Sequence, residues 1–212
     1  LPSDPCILAF DTTAAHCAAA LLSDGQIVAQ KHEDMARGQA ERLIPLLEDI
    51  LATAGKDWRD LNALAVGVGP GNFTGIRISV SAARGLALGL GIPAIGVSIF
   101  EARAEGLPRP LCVVEDARRG EVYMQRFSNE AEDPVLMDHA ELASKVDAAL
   151  VGSAADGAVT GLPVLEAHYS LSEAIARVAA RKFGTPQPRP APLYIRAADA
   201  APGADLPPKV LP

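Results

Sequence analysis

Three polar stretches of the 212-residue chain combine residue types at spacings that could do chemistry. The first is Asp11-Thr12-Thr13, closing the apolar run "CILAFDTT". A carboxylate there could hold Mg²⁺ through water while the threonine hydroxyls and main-chain N–H groups meet a phosphate. It could equally cap the turn into the next strand. The second is "VGVGPGNFTGIRIS" at 66 to 79, whose polar candidates are Gly69, Gly71 and Thr74. A P-loop needs G-x-x-x-x-G-K-[ST], and no lysine stands here; G-x-G-x-x-G fails as well. Free N–H groups at a helix start attract anions without any motif, and a tight turn needs glycine at positive φ, so cradle and turn both stay open from the local pattern. The third is "EDARRGEVY" at 115 to 123, where Glu115, Asp116, Arg118, Arg119 and Glu121 crowd a hairpin tip that is either a solvated turn or a functional cluster.

Other chemistries are excluded by pattern. His16, His32, His139 and His168 show no H-x-x-x-H or H-E-x-x-H spacing, so no zinc or other metal site is expected. No G-x-S-x-G supplies a nucleophile elbow, and no catalytic residue is assigned. A β-β-β-α-β nuclease needs further carboxylates converging on Asp11, but the fourth strand ends in glycines. Cys6, Cys17 and Cys112 are widely spaced with no C-x-x-C, and no leader precedes the first apolar run; a reducing cytoplasm is the expected compartment.

The elements that must position these groups are legible in outline. Strands at 6–13, 17–25 and 26–33 form an antiparallel meander with Asp24-Gly25 at one turn. A helix over 38–54 follows from Leu43, Leu46, Leu47, Ile50 and Leu51 at helical spacing, with Gly55 at its C-cap and Pro45 expected to kink it or shift its start. A strand at 61–69, the glycine loop and a helix from about Gly75 to Leu90 complete a β-β-β-α-β-α order. The second half reads as a hairpin over 111–127 turning at Ala117 to Gly120, a short strand after Pro134, a helix near 139–147, a strand at 148–155, and a helix from Ser170 to Lys182 behind the capping box "SLSE". Eight of the 17 prolines fall after Thr185, which predicts an extended strap over the surface followed by a fraying tail.

The helix after the glycine loop carries Ser81, Gly85 and Gly89 at i, i+4 and i+8. Two interior glycines cost about 2 kcal/mol relative to alanine, so close approach of another helix must offset them. Either the 38–54 helix of this chain or a helix of another protein satisfies the pattern.

Hydrophobic content of 49% can fill a real core, and the net charge of −7 argues against a chain that grips nucleic acid alone. The longest apolar stretch, 86–100, is too short for a bilayer and is interrupted by Pro93, so no membrane association is expected.

Taken in order and spacing, "ILAFDTT", "RGQAERLIPLLEDILATAG", "GVGPGNFTGIRISVSAARGLALGLGIPAIGVS", "DARRGEVY" and "PLYIR" resemble the bacterial TsaB family, formerly called YeaZ. The resemblance covers residues 6–125 strongly and closes at 190–196. It implies an α/β, actin/Hsp70-like fold of two ribonuclease-H-like lobes, 1–104 and an abbreviated 105–196, ahead of a Pro-rich tail at 197–212. It implies a non-catalytic scaffold needed for N6-threonylcarbamoyladenosine in tRNA at the adenosine beside the anticodon. The family partner TsaD carries the H-x-x-x-H metal site within "GVNHLEGH", where this chain has "GVSIFEAR" with Ile99 and Arg103 in the ligand places. Pairing with TsaD runs through the first two helices of each chain, which places Leu43, Leu47, Ile50, Arg77, Ser81, Gly85 and Gly89 at the expected interface. TsaE joins the complex, tRNA is met through the partners, and self-pairing of the isolated chain by the same helices is expected at high concentration. The resemblance assigns this chain no cofactor of its own; it leaves open whether ATP or ADP with Mg²⁺ binds this subunit, the partner or the seam between them, and Asp11, Thr12, Thr13, Gly69, Gly71 and Thr74 are the candidate nucleotide-binding residues here. Gln39 stands where relatives commonly have histidine, so no imidazole role is carried over. The rival readings are an autonomous ATPase or small-molecule kinase of the same fold and, more weakly, a metallopeptidase.

Overall fold

A computed structural model describes residues 4–196 of the chain; the Pro-rich tail read at 197–212 lies outside the described residues. The first sheet is built from β1 (Ile7–Asp11), β2 (His16–Ser23), β3 (Gln26–Asp34), β4 (Ala63–Gly67) and β5 (Ala94–Val97), in the order β3-β2-β1-β4-β5. β1 runs antiparallel to β2 and parallel to β4, so the meander and the crossover strands meet at β1. Asp24 and Gly25 both take positive φ, the conformation that a two-residue hairpin turn requires.

Alternation along β1 sorts the core into two layers. Leu8 and Phe10 pack with Leu46, Leu47 and Ile50 of α1 (Gln39–Thr53) and with Ile76 and Val80 of α2 (Phe73–Leu90). Ile7 and Ala9 face the opposite way, onto Ala174, Ile175 and Val178 of α4 (Leu171–Lys182). α4 thus follows the second sheet in sequence but covers the first. Glu101 and Glu105 tie this return in place, pairing with Lys182 and Arg181 of α4. Pro45 lies within α1, which starts ahead of it at Gln39.

The second sheet has the order β8-β7-β6-β9, from β6 (Leu111–Asp116), β7 (Glu121–Phe127), β8 (Val135–Asp138) and β9 (Ala149–Val151). Cys112 and Val114 point to one layer with Leu142 and Leu150; Leu111 and Val113 point to the other with Phe100 of the short α3 (Ile99–Arg103). Where a helix over 139–147 was expected, a 3-10 turn spans His139–Ser144. Leu142 is its one buried side chain, and so short a segment with one anchor does not repay α-helix nucleation.

The chain then returns as an extended strap across both lobes. Leu193 N donates to Val68 O at 2.7 Å, Leu193 and Ile195 pack against the Phe100 layer, and Arg196 reaches Ala117 O at 3.0 Å and the Glu121 carboxylate at 2.6 Å.

Candidate functional site: the interlobe cleft and the outer face of α2

The β1 to β2 turn is organised by a carboxylate that never reaches solvent. Asp11 is fully buried, and its Oδ1 accepts from Thr13 N at 3.0 Å, Thr13 Oγ1 at 2.9 Å and His16 Nε2 at 2.7 Å. Its Oδ2 is buried with no hydrogen-bond partner among the described residues, and it faces Gly67, where an added Cβ would lie 1.9 Å away. Thr12 Oγ1 donates to Gly75 O at 2.7 Å, and Asn72 N donates to Thr13 O at 2.6 Å. Gly71 and Gly75 are the residues that let the two loops close on one another, since a Cβ on either would strike Thr13 O at 2.3 Å or Thr12 O at 1.9 Å.

These contacts give the glycines a structural reason, the close approach of two loops. Thr12 Oγ1 and Asn72 N are spent on the opposite loop, Thr13 N is taken by Asp11 Oδ1, and the orphan oxygen of Asp11 lies against Gly67. Of the six residues expected near nucleotide, Thr13, Gly71 and Thr74 line the cleft between the lobes, while Asp11, Thr12 and Gly69 stand behind its wall. Asn72 gives the second reason for the loop: its side chain accepts from Gly75 N at 2.9 Å and caps α2.

The cleft itself, of about 1580 Å³, is bounded by the β1 to β2 turn, the start of α2, the β6 to β7 turn and the strap. Arg103 Nε donates to the Glu115 carboxylate at 2.9 Å, and Ser153 Oγ donates to its other oxygen at 2.6 Å, so an ion pair joins α3 to β6 across the cleft. Ile99 is buried, and among the described residues no three His, Cys, Asp or Glu side chains converge where they could hold a metal ion. Sequence reasoning missed the roles of His16 and of the Arg103–Glu115 pair. His16 stands one turn from Asp11 on the adjacent strand, a spacing that a hairpin register would have revealed; Arg103 and Glu115 lie in different lobes, and no local signal joins them.

The residues expected at a partner interface divide cleanly. Leu43, Leu47 and Ile50 are buried against the sheet, so they are core and are not offered to another protein; the apolar side of an amphipathic helix goes to its own domain first. Arg77, Ser81, Gly85 and Gly89 are exposed, and nothing lies within 4 Å of a Cβ built on Gly85 or Gly89. α1 is thus not the helix that closes on this face. Leu88 lies in the same exposed stripe and is 85% exposed, an apolar residue that helical spacing alone does not single out. At the other end, Phe73 stacks on Tyr194 at 5.2 Å, and the Arg77 guanidinium sits 3.8 Å over the Phe73 ring. No helix among the described residues is long and apolar enough to cross a membrane.

Comparison with known proteins adds an independent line. Residues 26–160 match the family model TsaD, tRNA N6-adenosine threonylcarbamoyltransferase. The tRNA threonylcarbamoyladenosine biosynthesis protein TsaB of Escherichia coli (strain K12) is 43% identical over 129 residues, covering 58% of this chain and 55% of that protein. The match therefore spans a little over half the length of that curated relative. An uncharacterized protein of Mycobacterium tuberculosis (strain ATCC 25618 / H37Rv) is 32% identical over 200 residues, 92% of this chain and 94% of its own. Among solved structures, YeaZ from Pseudomonas aeruginosa aligns with TM-score 0.71 and 28% identity over 90% of this chain and 99% of that one. Component A of (R)-2-hydroxyglutaryl-CoA dehydratase from Acidaminococcus fermentans, at 12% identity and TM-score 0.54, shares the fold alone.

Proposed function

Because this chain belongs to the TsaB (YeaZ) family of TsaD-like proteins, we propose that it is a non-catalytic subunit of tRNA threonylcarbamoyladenosine biosynthesis, acting by pairing with a TsaD-type catalytic partner. The observation that carries the pairing is the open outer face of α2. Ser81, Gly85 and Gly89 are exposed next to the exposed Leu88, and among the described residues nothing lies within 4 Å of a Cβ built on either glycine. Small residues on such a face let a second helix approach closely enough to offset the propensity lost at the two glycines.

The non-catalytic reading rests on what occupies the positions that do chemistry in the partner. Ile99 and Arg103 stand in the metal-ligand places; Arg103 is committed to Glu115, and Asp11 is sealed by His16 and Thr13. These arrangements support a scaffold and weigh against an autonomous ATPase or kinase. Three buried free thiols suit a reducing cytoplasm.

The test is reconstitution with cognate TsaD, TsaE, threonylcarbamoyl-adenylate and unmodified tRNA. This chain alone is expected to transfer nothing, and leaving it out of the full mixture is expected to abolish sustained turnover. Unchanged turnover without it contradicts the proposal.

A further inference from the structure

A chain of net charge −7 does not attract RNA as a whole, but the fold concentrates positive charge in one place. Arg37 before α1, Arg77 on α2 and Arg118 in the β6 to β7 turn line the same cleft from three separate elements. None of the three makes an ion pair with the described residues; Arg77 donates only to the neutral Tyr194 hydroxyl, at 2.9 Å. Of the acidic groups on that wall, Glu115 is paired with Arg103 and accepts from Ser153, whereas Asp116, whose carboxylate accepts from the Arg118 backbone N–H, keeps its charge, so that Glu41 and Asp116 oppose three arginines.

The turn that carries Arg118 is itself unusual. Arg118, Arg119 and Gly120 take φ of 63°, 57° and 79°, three left-handed residues in succession, yet the first two are arginine where glycine or asparagine would sit with less strain. A strained non-glycine position retained at a cleft points to use of the side chain. On the same cleft, Phe73 and Tyr194 are 48% and 47% exposed and stack on one another, with the Arg77 guanidinium over the Phe73 ring.

We propose that the interlobe cleft binds the phosphodiester backbone of RNA directly, with Arg37, Arg77 and Arg118 contacting phosphates and the half-exposed Tyr194 ring as a stacking rim for an unpaired base. Interleaved arginine and aromatic groups are the recurring solution for single-stranded nucleic acid. A volume of about 1580 Å³ is larger than a mononucleotide pocket needs, and the loops that would cradle a terminal phosphate are closed on one another. The identification of the RNA as tRNA rests on the pathway reading above, and it makes this subunit a direct contact rather than an indirect one.

The experiment is fluorescence anisotropy of the full chain with a labelled unmodified tRNA transcript across a salt series. Three phosphate contacts predict a slope of log affinity against log salt of about −2 to −3. Arg37→Ala with Arg118→Gly is expected to weaken binding on the order of tenfold at 0.1 M salt and to flatten the slope by about 2, with a urea midpoint no lower than that of the parent. Arg118→Gly alone relieves a left-handed arginine, so it keeps the test open should the double variant fold poorly. No binding, or identical slopes for all three proteins, overturns the proposal. Displacement of the transcript by ATP at equal phosphate concentration overturns it in favour of a nucleotide site, and equal displacement by polyglutamate in favour of an acidic protein segment. Absent RNA binding alongside intact dependence of turnover on this chain overturns the cleft proposal and leaves the scaffold reading standing.

Discussion

Gly75 sits where α2 and the Thr12-Thr13 turn touch backbone to backbone, and a Cβ there would lie 1.9 Å from Thr12 O. Backbone cannot step aside as the end of a flexible side chain can. Gly75→Ala is therefore expected to destabilise the isolated chain by about 1–3 kcal/mol or more, read as a lower urea midpoint. A midpoint equal to that of the parent chain would mean that the loops are not closed on one another. Glycine at 69, 71 and 75 was visible in the sequence, but its reason was not. A glycine needed for close approach and one needed for a phosphate look alike until the atoms on the other side are known. The same ambiguity surrounded Asp11, whose burial depends on His16 and on Gly67, neither of which a local motif connects to it.

At the scale of elements, α2 is stabilised by its cap and weakened by its glycines. Gly85 has open space around it, so Gly85→Ala is expected to raise the stability of the isolated chain by about 1 kcal/mol while weakening association with the partner. Denaturant unfolding and a binding titration on the same preparation check the two signs; a loss of stability would show that the face packs within the chain. The tie between β3 and α1 carries a pH signature. The Arg42 guanidinium, followed by the Lys31 ammonium, holds Glu33 down to about 2 from its ordinary 4.5. A depressed carboxylate contributes stability that is complete above its unfolded value and is lost as pH falls from about 4.5 toward 2. Glu33→Gln should flatten that part of the acid limb, and an unchanged limb would show that the pair adds nothing. Strands, the hairpin at Asp24-Gly25 and both long helices were legible because alternation, helical period and caps are local. The 3-10 turn at His139–Ser144 was not, since sequence period says nothing about how little of a segment finds a core.

Over the whole molecule, the least legible feature is the return of α4 to the first sheet. Its amphipathic pattern declares a helix but not which sheet receives it, and Ile175 and Val178 meet Ile7 and Ala9 across more than 160 residues of chain. The strap makes the same kind of long-range join, with Leu193 on Val68 and Arg196 on Glu121. Both lobes are thereby held by elements from the end of the described chain, and the outer faces of α1 and α2 are left on the outside of the first lobe. Of the residues expected at a partner interface, Ser81, Gly85 and Gly89 are exposed on α2, whereas the apolar signal of Leu43, Leu47 and Ile50 came from burial in their own core. The central claim, that the α2 face is a partner surface, is tested most directly by sedimentation of this chain with cognate TsaD, comparing the parent protein with Gly85→Leu. We expect the parent to form a heterodimer and Gly85→Leu to remain folded with pairing lost, since leucine obstructs close approach on that face. A folded Gly85→Leu variant that pairs as tightly as the parent would contradict the claim.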